Sequence, residues 1–93
     1  MSIFRDIMGK GTKVGSDVQE YLRRNNPDAA MVVMSRHMRE VDDAIKKVER
    51  DPAINGRNKV DLLKQLRGYR ADLAQSRNAI REMSDLQVRF GNR

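Results

Sequence analysis

Residues 41–66 read VDDAIKKVERDPAINGRNKVDLLKQL, and the fold turns on what Asp51-Pro52-Ala-Ile-Asn55-Gly56 does in the middle of them. Proline fixes its own φ, has no N–H to donate and pushes the residue before it out of helical angles. A helix arriving through Val41, Ile45 and Val48 therefore stops at about Arg50. Helical spacing resumes with Leu62 and Leu66. A connection this short turns the second helix back along the first as an antiparallel hairpin.

Working outward, both arms carry the same signal. Upstream, Met31, Met34, Met38, Val41, Ile45 and Val48 recur at alternating spacings of three and four, the period of a helix with one apolar seam. Asn26 suits the N-cap and Pro27 the first helical position. Asp28 sits near the positive end of the helix dipole, and Lys46, Lys47 and Arg50 near the negative end. The spacing predicts a helix over 28–50. Downstream, Leu62, Leu66, Tyr69, Leu73, Ser76, Ile80, Met83, Gln87 and Phe90 keep the same alternation, predicting a helix over 56–90 with Asn55 as N-cap and Gly91 as its stop. Arg57 and Lys59 oppose the dipole at its start. Folded about Pro52, the hairpin sets Val48 near Val60, Ile45 near Leu62 or Leu63, Val41 near Leu66, Met38 near Tyr69, Met34 near Leu73 and Met31 near Ser76. At 1.5 Å per residue the arms are ~34 and ~52 Å long, so the shorter one ends opposite Ser76. Ile80, Met83, Leu86 and Phe90 are then left without a partner in the hairpin.

The N-terminal part reads differently. Ser16-Asp17-Val18-Gln19 has the form of a capping box, and Val18, Tyr21 and Leu22 follow at helical spacing, which predicts a short helix over 17–25; either it caps the far end of the hairpin as a third arm, or residues 79–90 pack against another chain. Residues 9–15 hold three of the six glycines and read as a tether. Ile3, Phe4, Ile7 and Met8 cluster in one amphipathic turn, too short to be helical alone in water and so in need of a partner surface. The expected organisation is a flexible basic segment over 1–15 and a helical hairpin domain over 16–93. The fold class is all-α: a coiled-coil-like antiparallel hairpin with a short additional N-terminal helix.

Composition bounds the function. Leu, Ile, Val and Phe make up 21 of the 93 residues, just above the ~20% below which a charged chain stays disordered, so one small domain with a thin core is expected. There is no cysteine, hence no disulfide framework, thiolate metal site or Cys nucleophile. No apolar run approaches the ~20 residues of a membrane span. The first eight residues, with charge inside the apolar stretch, do not form a secretion signal, and Ser2 stands where myristoylation needs glycine; a cytoplasmic or virion location is expected. Gly9-Lys10-Gly11-Thr12 lacks the spacing of a phosphate-binding loop. His37 is the only histidine, and with no second His or Cys beside it a boundary or surface role is expected rather than a ligand's. Asp42 and Asp43 have Lys46 and Lys47 four residues on, the spacing of helix-surface ion pairs. Met31, Met34 and Met38 fall on the seam and read as core. No catalytic residue, cofactor or metal site is expected, and the chain is not expected to be an enzyme.

Charge is unevenly spread. The formal net charge is +6, and residues 53–93 hold nine basic against four acidic groups. Lys64, Arg67, Arg70, Arg77 and Arg81 lie along the long arm, a basic face able to follow a phosphate backbone. No zinc finger, helix-turn-helix or aromatic RNA-binding motif accompanies them.

Ile45-x-x-Val48-Glu-Arg-Asp51-Pro52-Ala-Ile54, followed by Lys59, Leu62-Leu63, Leu66-Arg67 and Tyr69-Arg70-Ala-Asp-Leu73-Ala74, resembles helical hairpins of bacteriophage internal virion (ejection) proteins and large polyvalent proteins. Those hairpins join two charged helices by an Asp-Pro turn. Asn55-Gly56 departs from the hydroxyl residue or proline that often opens their second helix. The resemblance covers about a third of the chain and implies a structural, partner-bound role in a phage setting, with no catalytic residues. The leading expectation is a small interaction protein that presents Ile3, Phe4, Ile7, Ile80, Met83, Leu86 and Phe90 to a protein partner or to copies of itself. The alternatives are non-specific DNA or RNA binding through the five basic residues, and an inhibitor that docks on a host protein.

Overall fold

Asn26 and Pro27 begin the central helix as their chemistry requires. The Asn26 side-chain oxygen accepts a hydrogen bond from the Ala29 N–H at 3.2 Å, and proline, with no N–H to leave unpaired, takes the first helical position. The computed structural model of the chain describes residues 3–90, the side chain of Phe90 excepted. These residues form three α-helices and no strand: α1 (Ile3–Arg23), α2 (Pro27–Arg50) and α3 (Gly56–Phe90). α3 returns antiparallel along α2, and α1 packs chiefly on α2 while meeting α3 through a few side chains. The rod measures 57 × 19 × 15 Å.

Both turns are built from side chains suited to them. α1 ends with Asn25 in the left-handed region, φ 61°. The Asn26 N–H reaches the Tyr21 carbonyl at 2.8 Å and the Asn25 N–H the Leu22 carbonyl at 3.0 Å, the paired bonds of a Schellman stop, in which asparagine tolerates the left-handed angle. Asn26 then serves at once as the last residue of that stop and the cap of α2. At the other turn, the Asp51 carboxylate accepts from the Ala53 N–H at 2.9 Å, and Gly56 takes φ 61°, where a side chain would be strained. α3 starts at Gly56 itself, and the Asn55 carbonyl accepts from the Lys59 N–H at 3.4 Å. Lys59, expected to oppose the dipole of its own helix, donates from Nζ to the Glu49 carbonyl at 2.7 Å and so satisfies the C-terminal end of α2.

The core lies in two blocks. Near the Pro52 turn, Ile7 of α1 packs with Val41, Ala44, Val48 and Leu66; at the far end, Val18 of α1 packs with Ala30, Met34 and Ile80. Val41, Val48 and Leu66 are fully buried, each contributing about 1.5–3 kcal/mol relative to exposure.

Three expectations are corrected. Residues 3–15 are not a flexible segment, nor residues 9–15 a tether, ahead of a helix over 17–25: α1 is continuous from Ile3, and Ser16 to Gln19 lie inside it rather than at a cap. Helix propensity disfavours Gly9, Gly11 and Gly15 by about 1 kcal/mol each, but the face carrying Ile7, Val14 and Val18 is buried against α2, and packing outweighs propensity in a helix of this kind. The short arm does not end opposite Ser76. α2 begins at Pro27, Asp28 accepts a hydrogen bond from Ser84 Oγ at 2.8 Å, and the Gln87 side-chain amide reaches the Asn25 side chain. Nor are Ile3, Phe4, Ile7 and Ile80 free for a partner. Ile7 and Ile80 are 6% and 5% exposed, and Ile3 and Phe4 pack against the Ile7 block. Gly91 and the side chain of Phe90 lie outside the described residues.

Candidate functional site

Exposed large apolar side chains gather at the C-terminal end of α3, while Met8, Val32 and Val60 are exposed singly elsewhere. Met83 is 47% exposed, Leu86 52% and Val88 70%. Ala79, Met83 and Leu86 are spaced four and three apart, and the backbone position of Phe90 continues the series, so they share one stripe. That stripe lies beside the seam: Ile80, Ser84 and Gln87 turn inward to the rest of the bundle, while Glu82, Asp85 and Arg89 border Leu86 on the outside.

The five basic residues expected to form one face are divided. Arg70 Nε lies 2.7 Å from an Asp42 carboxylate oxygen, and this partner raises the Arg70 pKa further above its ordinary value. Arg67 stands 4.0 Å from Glu49. Lys64 points to solvent. Arg77 and Arg81 instead meet two residues that charge patterning on the long arm does not reveal, Arg36 and Arg39 of α2. The four line a groove of about 500 Å3 with Asp28, Met31, Val32 and Ser35. The signal was in the hairpin register, which sets the stretch before Met38 across from the stretch after Leu73.

A third feature is internal. His37, expected at a boundary, is fully buried. Its Nε2 lies 2.7 Å from the Tyr69 hydroxyl and its Nδ1 3.4 Å from Glu40 Oε1. Glu40 in turn pairs with Lys10 at 3.1 Å, so the chain Lys10–Glu40–His37–Tyr69 crosses all three helices. The rings of His37 and Tyr69 meet edge to face, 5.5 Å between centroids at 75°, a favourable aromatic geometry. Gly11 makes room for it: a Cβ there would overlap the Tyr69 hydroxyl oxygen. The Lys10 hydrogen bond holds Glu40 below its usual carboxylate pKa, with His37 acting the same way against desolvation. Burial, with the Glu40 charge nearby, pushes the Tyr69 phenol up. The expected Met38–Tyr69 layer already put His37 next to Tyr69; Gly11 was hidden by reading residues 9–15 as a tether.

Among the described residues, no group of three or more His, Asp or Glu side chains is placed to hold a metal ion, and no helix is long and apolar enough to cross a membrane. The chain matches no family model, no curated protein and no solved structure.

Proposed function

We propose that the chain is a non-enzymatic helical interaction protein that assembles with further copies of itself through the C-terminal end of α3. One observation carries this reading. Met83 and Leu86 stay about half exposed and share one stripe with Ala79 at the end of α3, three positions on one face with nothing packed over them. Large apolar side chains grouped at one end of a small rod mark a contact surface more often than a solvated one. Glu82, Asp85 and Arg89 flank the stripe with both signs of charge, so two α3 ends laid antiparallel bring acid against base, the self-complementarity that a two-fold contact needs. The patch covers about two turns, short of the ~1,000 Å2 of a firm interface, which makes the association concentration-dependent. The likeness of residues 41–74 to hairpins of phage virion proteins favours a virion as the setting, where local concentration is high.

The test is light scattering over a concentration series, with Met83→Glu/Leu86→Glu as the variant and circular dichroism to follow its helicity. The expected result is a mass that rises with concentration for the native chain and stays monomeric for the variant at unchanged helicity. A native chain that remains monomeric at millimolar concentration refutes the reading.

A further inference from the structure

We infer that the groove between α2 and α3 walled by Arg36, Arg39, Arg77 and Arg81 is a docking site for an acidic amphipathic segment of another protein. The reading stands apart from self-assembly, because the groove and the Met83–Leu86 stripe lie on different sides of α3. Residues 77 and 81 fall roughly 120–180° around the helix from 79, 83 and 86 at 100° per residue.

Several arginines elsewhere are matched within the chain, Arg23 and Arg24 with Glu20, Arg70 with Asp42 and Arg67 loosely with Glu49, while Arg50, Arg57 and Arg89 stand exposed and apart from one another. The four in the groove have no ion pair among the described residues. The acid that shares the site, Asp28, is engaged by the Ser84 hydroxyl. Arg77 Nε is buried without a hydrogen-bond partner, and a desolvated donor on a guanidinium is costly until an acceptor arrives. Four cations around one groove also repel one another, so the site is electrostatically incomplete.

The floor narrows the class of ligand. Met31 and Val32 line it, and Val32 is about half exposed. A phosphate backbone has nothing apolar to set on that floor. A polypeptide carrying carboxylates around one aliphatic side chain fits both parts, with methionine adapting to the inserted group. Arg36 and Arg39 are three residues apart and Arg77 and Arg81 four, one helical turn in each case. A helix with carboxylates at i and i+3 or i+4 therefore offers matching pairs, and arginine binds carboxylates in a bidentate fork.

The experiment uses the full chain and a short fluorescent helical peptide with Glu one turn apart around Leu, read by anisotropy. Its all-Gln counterpart, its Leu→Ser counterpart and a DNA duplex serve as competing probes. The acidic peptide should bind in low salt, with both counterparts weaker. Arg77→Glu/Arg81→Glu should weaken it by at least about tenfold, and so should Arg36→Glu/Arg39→Glu, whose side chains are exposed and whose loss leaves the fold intact. Lys64→Glu/Arg67→Glu, the same change of charge outside the groove, should alter it less than about threefold. Equal losses in all three variants overturn the proposal in favour of general electrostatics, and no binding at about 1 mM overturns it outright. Duplex binding tighter than the peptide's and lost with the same four arginines assigns the groove to nucleic acid instead. A native mass that rises with concentration but not in the groove variants assigns it to a second copy.

Discussion

Replacing Gly11 by alanine separates a packed helix from a tether. In a helix interior the change gains about 1 kcal/mol of propensity. At Gly11, however, the new Cβ would overlap the Tyr69 hydroxyl oxygen and lie 3.2 Å from Tyr69 Cζ and 3.3 Å from His37 Nε2. Two relaxations are open. Tyr69 can swing aside, which leaves the buried His37 nitrogen unpaired at about 1–3 kcal/mol. Alternatively α1 can back away, which loosens Ile7 and Val18 at a similar overpacking cost of about 1–3 kcal/mol. Net of propensity, we predict a loss of up to about 2 kcal/mol. Gly9 and Gly15 have nothing within 4 Å of an added Cβ, so alanine at either should stabilise by up to about 1 kcal/mol. Urea unfolding followed by helical circular dichroism reads the contrast. With a slope of about 1 kcal/mol/M for so short a chain, the midpoint falls by up to about 2 M in one variant and rises in the other two. Adding Tyr69→Phe to Gly11→Ala removes the atom in conflict and should recover part of the loss. A Gly11→Ala shift equal in sign and size to that of Gly9→Ala refutes the contact with Tyr69, and three silent variants refute the helix.

Four further outcomes are expected. The Tyr69 phenol is raised in the folded chain, so its contribution is complete below the unfolded value of about 10 and is lost as pH rises through the folded one; Tyr69→Phe should start about 1 kcal/mol less stable and lack this alkaline decline, and a parallel decline in both proteins contradicts the assignment. Glu40 is depressed, so its contribution is present above the unfolded value of about 4.3 and is lost as pH falls through the folded one; Glu40→Gln should flatten the acid limb of a midpoint-against-pH plot, and an unchanged slope refutes the Lys10 pairing. Asn25→Ala should cost about 1 kcal/mol, since alanine resists the left-handed angle, whereas Asn25→Gly should cost less; equal stabilities count against the Schellman stop. His37→Leu with Tyr69→Phe removes both polar partners together and should hold the midpoint within about 1 kcal/mol while broadening the amide resonances, and sharp native dispersion would show that the pair does not select the packing.

The hairpin was legible because its signals are local. The Asp51-Pro52 break, the three-four spacing on both sides and the Asn26-Pro27 start all act within a few residues of where they are read. The N-terminal helix was not, and the reason is specific. Ile7, Gly11, Val14, Val18 and Tyr21 are spaced four, three, four and three apart, the same seam as in the other helices with a glycine at one position. Propensity makes that glycine a break, and only the Tyr69 hydroxyl arriving from α3 makes it a fit. The cover over Ile80 is legible in part: the helix expected over 17–25 brings Val18 to the end of the seam, where Val18 packs with Ile80. One helix alone leaves His37 beside the stripe, at a boundary; packing of the other helices closes over it.

Apolar stripes with this spacing do not fix their own alignment. Slide α3 against α2 by seven residues and large apolar side chains again meet large apolar side chains, at the cost of one end. The polar and steric contacts cannot be slid. His37 would face Ser76 or Leu62 in place of the Tyr69 hydroxyl now 2.7 Å away, leaving a buried imidazole unpaired at about 1–3 kcal/mol, and the Arg70–Asp42 pair at 2.7 Å would part. That is a large share of the roughly 0.05–0.15 kcal/mol per residue that stabilises a domain. On α1 the positions seven residues from Gly11 are Phe4 and Val18, and neither admits a hydroxyl against its backbone. Pairing and shape therefore select one register. That register also assembles the surface: with α3 displaced by seven residues, the places of Arg77 and Arg81 would be taken by Ser84 and Val88, or by Arg70 and Ala74. The four-guanidinium groove exists only in the alignment that a buried histidine and one glycine enforce.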